Sequence, residues 1–125
     1  RREQARAVAL LLAAQPERAW SLEQLGRQVH ASPFHLARGF RDELGEPIHR
    51  YLLRARLARA LDAVLDSDEE LTTLALALGF ATPSHFGAAF RQAYGIAPSA
   101  LRRQARGAQA RGLRKIPTAP ARHPH

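Results

Sequence analysis

ASPFHLARGFRDELG at residues 31–45 and ATPSHFGAAFRQAYG at residues 81–95 follow one pattern: a hydroxyl residue, proline, histidine two places on, then Phe-Arg, then glycine, at a constant offset of fifty positions. Ser32 and Thr82 are N-cap residues by type. Pro33 and Pro83 follow at the first helical position, where the missing N–H has no intrahelical partner to lose and where the residue before proline avoids helical angles. Gly45 and Gly95 end the two stretches as glycines ending helices do. The spacing therefore predicts two helices of about three turns. Each is preceded by a shorter apolar helix, LEQLGRQV or LTTLALAL, and by a turn of a few residues, which makes two helix-turn-helix units.

The flanking segments are also helical. EQARAVALLLAA, to Ala14, is amphipathic and is closed by Pro16. SLEQLGRQVH opens on a capping box, Ser21 with Gln24, and Trp20 with Leu25 occupies the positions of a hydrophobic staple, which gives the single tryptophan a structural role. PIHRYLLRARLARALDAVLD, residues 47–66, carries Ile48, Tyr51, Leu52, Ala55, Leu61, Val64 and Leu65 at largely helical spacing. From Ile48 it predicts a rod of roughly 28 Å that holds the two units apart. DSDEE is an acidic break before Leu71, and a last short helix begins near Pro98. The expected architecture is all-α with seven helices: subdomain one over about 4–46, a linker helix over about 47–66 and subdomain two over about 70–106. From Gly107 the chain is mostly Gly, Pro, Ala and Arg, so residues 107–125 are expected to be a disordered basic tail, serving as a spacer or as a functional arm.

Composition narrows the functions. Leucine and alanine dominate a hydrophobic fraction of 46% in 125 residues, which is one domain's worth of chain. The absence of cysteine removes disulfides, thiolate nucleophiles and Cys-based zinc sites, and the six histidines show no metal-ligand spacing. No apolar run approaches the ~18 residues of a spanning helix, so no membrane contact is expected, and the protein reads as soluble and cytoplasmic. Starting at Arg1 without a methionine, the chain reads as a fragment whose upstream domain is absent. There is no nucleophile elbow, no phosphate-binding glycine loop and no paired acidic site, so neither an enzyme nor a cofactor is expected. The net charge of +8 is unevenly spread. Residues 96–125 hold seven of the 19 basic residues and no acidic one, leaving 12 against 11 in the body.

On a helical wheel Leu36, Phe40 and Leu44 form one stripe of the first repeat helix, matched by Phe86, Phe90 and Tyr94 in the second; these are core. The opposite stripes are Phe34, Arg38 and Arg41, and Ser84, Ala88 and Arg91. There the copies diverge most, as two surfaces reading different sequences would, although drift of exposed residues gives the same pattern. Double-stranded DNA fits such stripes: a helix enters the major groove, arginine bonds bidentately to guanine and phenylalanine meets a thymine methyl. Flanking arginines and helix N-termini hold phosphates. A helical protein-interaction module, or a non-specific polyanion binder using the tail, keeps the core repeats without needing the outward Arg38.

LARGFRDELGEPIHRYLLRARLARALDAVLD followed by LTTLALALGFATPSHFGAAFRQAYGIAPSALRR resembles the DNA-binding domain of the AraC/XylS family of bacterial transcription regulators, over about residues 4–104. The set Gly79-Phe80, Phe86, Phe90-Arg91, Gly95 and Pro98 carries the likeness. The resemblance implies two homeodomain-like helix-turn-helix subdomains on a linker helix, reading two adjacent major grooves as a monomeric, nucleoid-associated module. It implies an activator that contacts RNA polymerase and carries an N-terminal effector or dimerisation domain. Its base-reading positions fall on Phe34, Ala37 and Arg38, and on Thr82, Ser84, His85 and Ala88. Phosphate contacts are expected from Ser32, Arg41, Arg54, Arg91, Arg102 and Arg103. Three departures stand out. Ala88, where members often have arginine, follows Gly87 and leaves the second helix little reach; Pro47-Ile48 replaces Ser-Pro; and Gly26 replaces an alanine, which is expected to be harmless where helices pack closely.

Overall fold

The computed structural model describes residues 2–112, which form seven α-helices and, among the described residues, no strand: α1 (Arg2–Ala14), α2 (Leu22–Val29), α3 (Pro33–Leu44), α4 (Ile48–Asp66), α5 (Leu71–Ala77), α6 (Pro83–Tyr94) and α7 (Pro98–Ala110). The caps foreseen in the two repeats are made. Ser32 Oγ accepts from the His35 N–H at 3.2 Å, and Thr82 Oγ1 accepts from the His85 N–H at 3.0 Å. Gly45 and Gly95 adopt φ of 80° and 75°, where a side chain would be strained, and their N–H groups donate to Arg41 O and Arg91 O. The capping box at α2 is also present, and the Trp20 indole donates to Gln15 O at 2.9 Å, which fixes the ring as a structural element.

The chain divides into two units, one ending at Arg56 and the other beginning at Leu57. In the first, α1 packs on α3 and α2, and Val8, Leu12, Leu25, Leu36 and Phe40 are buried together, with Trp20, Tyr51 and Leu52 half-buried at the margin. Arg6 bonds Glu43 at 2.7 Å across α1 and α3, a surface pair worth well under ~1 kcal/mol beside the apolar core. In the second unit an aromatic series fills the interior: Phe80, Phe86, Phe90 and Tyr94 follow one another at centroid separations of 5.2, 5.7 and 4.8 Å.

The linker helix is not a bare spacer. Its first half belongs to the first unit through Ile48, Tyr51 and Leu52, and its second half buries Leu57, Ala60 and Val64 in the second. Leu57 and Ala60, absent from the apolar positions read from the sequence, are buried, whereas Ala55 and Leu61 are half-buried. Arg56 ties α4 to the α1–α2 connection, donating from Nε to Pro16 O at 2.6 Å and from Nη2 to Arg18 O at 2.9 Å. Burial lowers the pKa of its guanidinium from the ordinary value, partly offset by the Glu17 carboxylate.

The structure moves one expected boundary. Helix α7 runs to Ala110, so residues 107–110 are helical and do not belong to the tail expected from Gly107. Ala108 is buried at 4% exposure, and Gln104, Ala105, Gln109 and Ala110 are sound helix formers, which together outweigh the cost of Gly107, about 1 kcal/mol relative to alanine. The expected tail from residue 113 onward lies outside the described residues.

Gly26 is a fitted position. A Cβ there would lie 2.5 Å from the carbonyl oxygen of Ala31 in the α2–α3 turn, which folds back over α2 through His30 in the left-handed region, at φ 59°. Since the obstacle is backbone, Gly26→Ala should lower the denaturation midpoint of the first unit by an amount equivalent to about 1–3 kcal/mol. An unchanged midpoint would mean that the turn yields freely.

Candidate nucleic-acid interface

Helix α3 meets its unit with Leu36 and Phe40, at 2% and 0% exposure, and turns the other side outward. Phe34, Ala37 and Arg38 are all exposed, as base reading requires, and Phe34 keeps 65% of its surface in solvent. A bare phenylalanine at that exposure costs apolar hydration, which a contacting surface would relieve. The structure brings Phe34 and Arg38 together: the guanidinium carbon lies 5.8 Å from the ring centroid, the reach of helix positions four apart. Ser32 Oγ, already the cap, lies 2.8 Å from His35 Nδ1, and the His35 ring meets Phe34 edge to face at 5.6 Å. The sequence already set Phe34 and Arg38 on one outward stripe, but the contacts that join them with Ser32 and His35 are visible only in the structure.

Helix α6 is built alike but bears shorter groups. Phe86 and Phe90 are buried, while Thr82, Ser84, His85 and Ala88 are exposed. Thr82 spends its hydroxyl on the cap, and the His85 ring packs edge-on to Phe80 at 5.5 Å. Nothing on this stripe projects as far as Arg38 does until Arg91, in the last turn, which is exposed.

Of the expected phosphate contacts, Arg41, Arg91 and Arg103 are exposed and Ser32 is engaged in its cap. One needs correction. Arg102 is 8% exposed, and its guanidinium donates to three main-chain carbonyls: Nε to Val64 O at 3.0 Å, Nη1 to Glu69 O at 2.7 Å and Nη2 to Ala63 O at 3.2 Å. Ala63 and Val64 lie in the last turn of α4, whose carbonyls have no partner within the helix, so Arg102 is a C-terminal cap and faces no phosphate. Arg54 is ion-paired with the mostly buried Glu46 through Nε and Nη2 and stays partly exposed. Arg106, unassigned from the sequence, pairs with Asp68.

Among the described residues no group of three His, Cys, Asp or Glu could hold a metal, and no helix is long and apolar enough to cross a membrane.

A helix-turn-helix domain model matches residues 25–104. The chain is 41% identical over 70 residues to the HTH-type transcriptional activator RhaS of Pectobacterium carotovorum, which covers 56% of this chain and 25% of that protein. It spans only about a quarter of that relative's length. Among solved structures it is similar to a probable AraC family transcriptional regulator from Rhodopseudomonas palustris, with a TM-score of 0.76 and 25% identity over 82% of this chain and 97% of the other. It is also similar to the DNA-binding domain of AdpA, a global transcriptional factor solved in complex with a target DNA, with a TM-score of 0.74 and 27% identity over 87% and 97%.

Proposed function

The chain belongs to the AraC/XylS family of helix-turn-helix DNA-binding domains, and on that premise we propose that it binds double-stranded DNA sequence-specifically and regulates bacterial transcription, as an activator. Helices α3 and α6 enter two adjacent major grooves. The observation that carries the reading is the outward stripe of α3: a long cation, Arg38, on an exposed aromatic ring, on a helix whose other side is fully packed. Arg38 bonds a guanine edge bidentately, Phe34 stands beside it on the reading face and Ala37 leaves room for close approach. Helix α6 mainly grips, its N-terminal amides and Arg91 taking phosphates while Thr82, Ser84, His85 and Ala88 contribute short-range contacts. Arg41 and Arg103 add phosphate contacts that fix register without reading sequence. RNA polymerase and an effector or dimerisation domain in the parent protein are the further partners of this reading, in the bacterial cytoplasm.

Selection of preferred sites from a random duplex library, followed by titration at several salt concentrations, tests it. Specific sites should be bound at least ~1,000-fold more tightly than random duplex. Equal affinity for all duplexes, with a steep salt dependence, would leave only polyanion binding. Arg38→Ala should cost about 1–3 kcal/mol on the selected site and relax preference at one base pair. A loss of the same size on every duplex would mean that Arg38 touches only the backbone.

A further inference from the structure

The geometry points to Phe34 as the positioning residue for Arg38: the aromatic face holds the guanidinium in reading position before DNA arrives, and the Ser32–His35 cap holds the aromatic face. This inference rests on the proposed base contact of Arg38. An exposed arginine ordinarily samples many rotamers, and each must be given up when it docks on a base, so a side chain already confined binds with a smaller entropic loss. The parts of such a confinement lie together over the first two turns of α3. Ser32 Oγ caps α3 through the His35 N–H and lies 2.8 Å from His35 Nδ1; the His35 ring meets Phe34 edge to face at 5.6 Å and 79°; Arg38 lies over Phe34 at 5.8 Å. None of this serves the core. Among the described residues Phe34, at 65% exposure, is second only to Leu10 of the large hydrophobics, and it is not part of the first unit's core or its margin. Among the described residues Arg38 makes no ion pair, although Asp42 follows it by four positions; the ion pairs of α3 run from Glu43 to Arg2 and Arg6.

A side chain that acts through another differs measurably from one that makes its own contact. In a double-mutant cycle the loss on Phe34→Ala must vanish once Arg38 has been removed, because nothing is left to position. The cycle is read on the full chain against duplexes carrying every substitution at each base pair of the selected site, with thermal melts of each variant. Phe34→Ala is expected to weaken binding roughly two- to fivefold, at the base pair that Arg38→Ala also relaxes, and to leave the melting temperature unchanged. In the Arg38→Ala background it should have no further effect. Phe34→Tyr, which keeps the ring face, should retain wild-type preference, whereas Phe34→Leu, which keeps apolar bulk alone, should resemble alanine. A loss at a different base pair that persists without Arg38 would overturn the inference and make Phe34 a direct reader. If Arg38→Ala relaxes no base pair, the base contact itself fails and the positioning role falls with it, an outcome separate from an additive cycle.

Discussion

Arg102→Met is expected to destabilise the second unit by about 3 kcal/mol. The substitution keeps the length and much of the apolar bulk of the side chain, so the loss isolates the guanidinium. Charge-assisted hydrogen bonds are worth about 1.5–3 kcal/mol each, and buried carbonyls left without a donor add their own penalty, although the three bonds share one group and do not sum. Ala63 O also accepts from the Ser67 N–H and hydroxyl, at 3.0 and 2.9 Å, so the carbonyls of Val64 and Glu69 suffer most. Arg102→Lys should recover only a minor part. Its ammonium keeps the charge near the helix C-terminus but cannot spread donors over three carbonyls as a planar fork does. Urea denaturation followed by circular dichroism measures both. An unchanged midpoint, with DNA affinity reduced and its salt slope flattened, would return Arg102 to the phosphate contacts.

Phe40→Ala should cost more still, about 3–5 kcal/mol, because it removes a ring at 0% exposure and leaves a cavity that the packed α1 and α3 close only in part. The ring is also lost to its edge-to-face contact with Tyr51 at 5.5 Å, the point at which α4 is held to the first unit. Against a total stability of about 5–15 kcal/mol for a small domain, a loss of that size unfolds a measurable fraction of the first unit at ambient temperature. Duplex binding then falls on every sequence alike, through the folded fraction, whereas Arg38→Ala falls on one base pair with the fold intact. A thermal melt beside a binding titration separates the two. If Phe40→Ala left the melt unchanged, the core of the first unit would lie elsewhere than Leu36 and Phe40.

The elements of this fold were legible because each is written locally. Hydroxyl, proline and glycine set the ends of α3 and α6 within one turn of the residues they cap, and Ser21 with Gln24 does the same for α2. The stripe Leu36, Phe40 and its partner Phe86, Phe90 declared their burial by spacing alone. The exposed positions Phe34, Ala37 and Arg38 followed as the remaining face of the same wheel. Where composition was read in bulk, the result was poorer: a run of Gly, Ala and Arg after Gly107 looked like tail, yet one buried alanine carries the helix to Ala110.

What the sequence by itself determined is therefore the periodic and the capped: seven helices, two like units, and which side of each repeat helix faces inward. Only the tertiary structure decided what each arginine does. Arg38, Arg54, Arg56 and Arg102 are the same letter, but one lies on an exposed ring, one is paired to Glu46, one is bonded to the α1–α2 connection and one closes the end of α4. The partners of Arg56 and Arg102 lie 33 to 40 residues away along the chain, beyond the reach of any helical period. A long cationic side chain satisfies five donors wherever folding delivers acceptors, and that delivery is a property of packed helices and not of neighbouring residues.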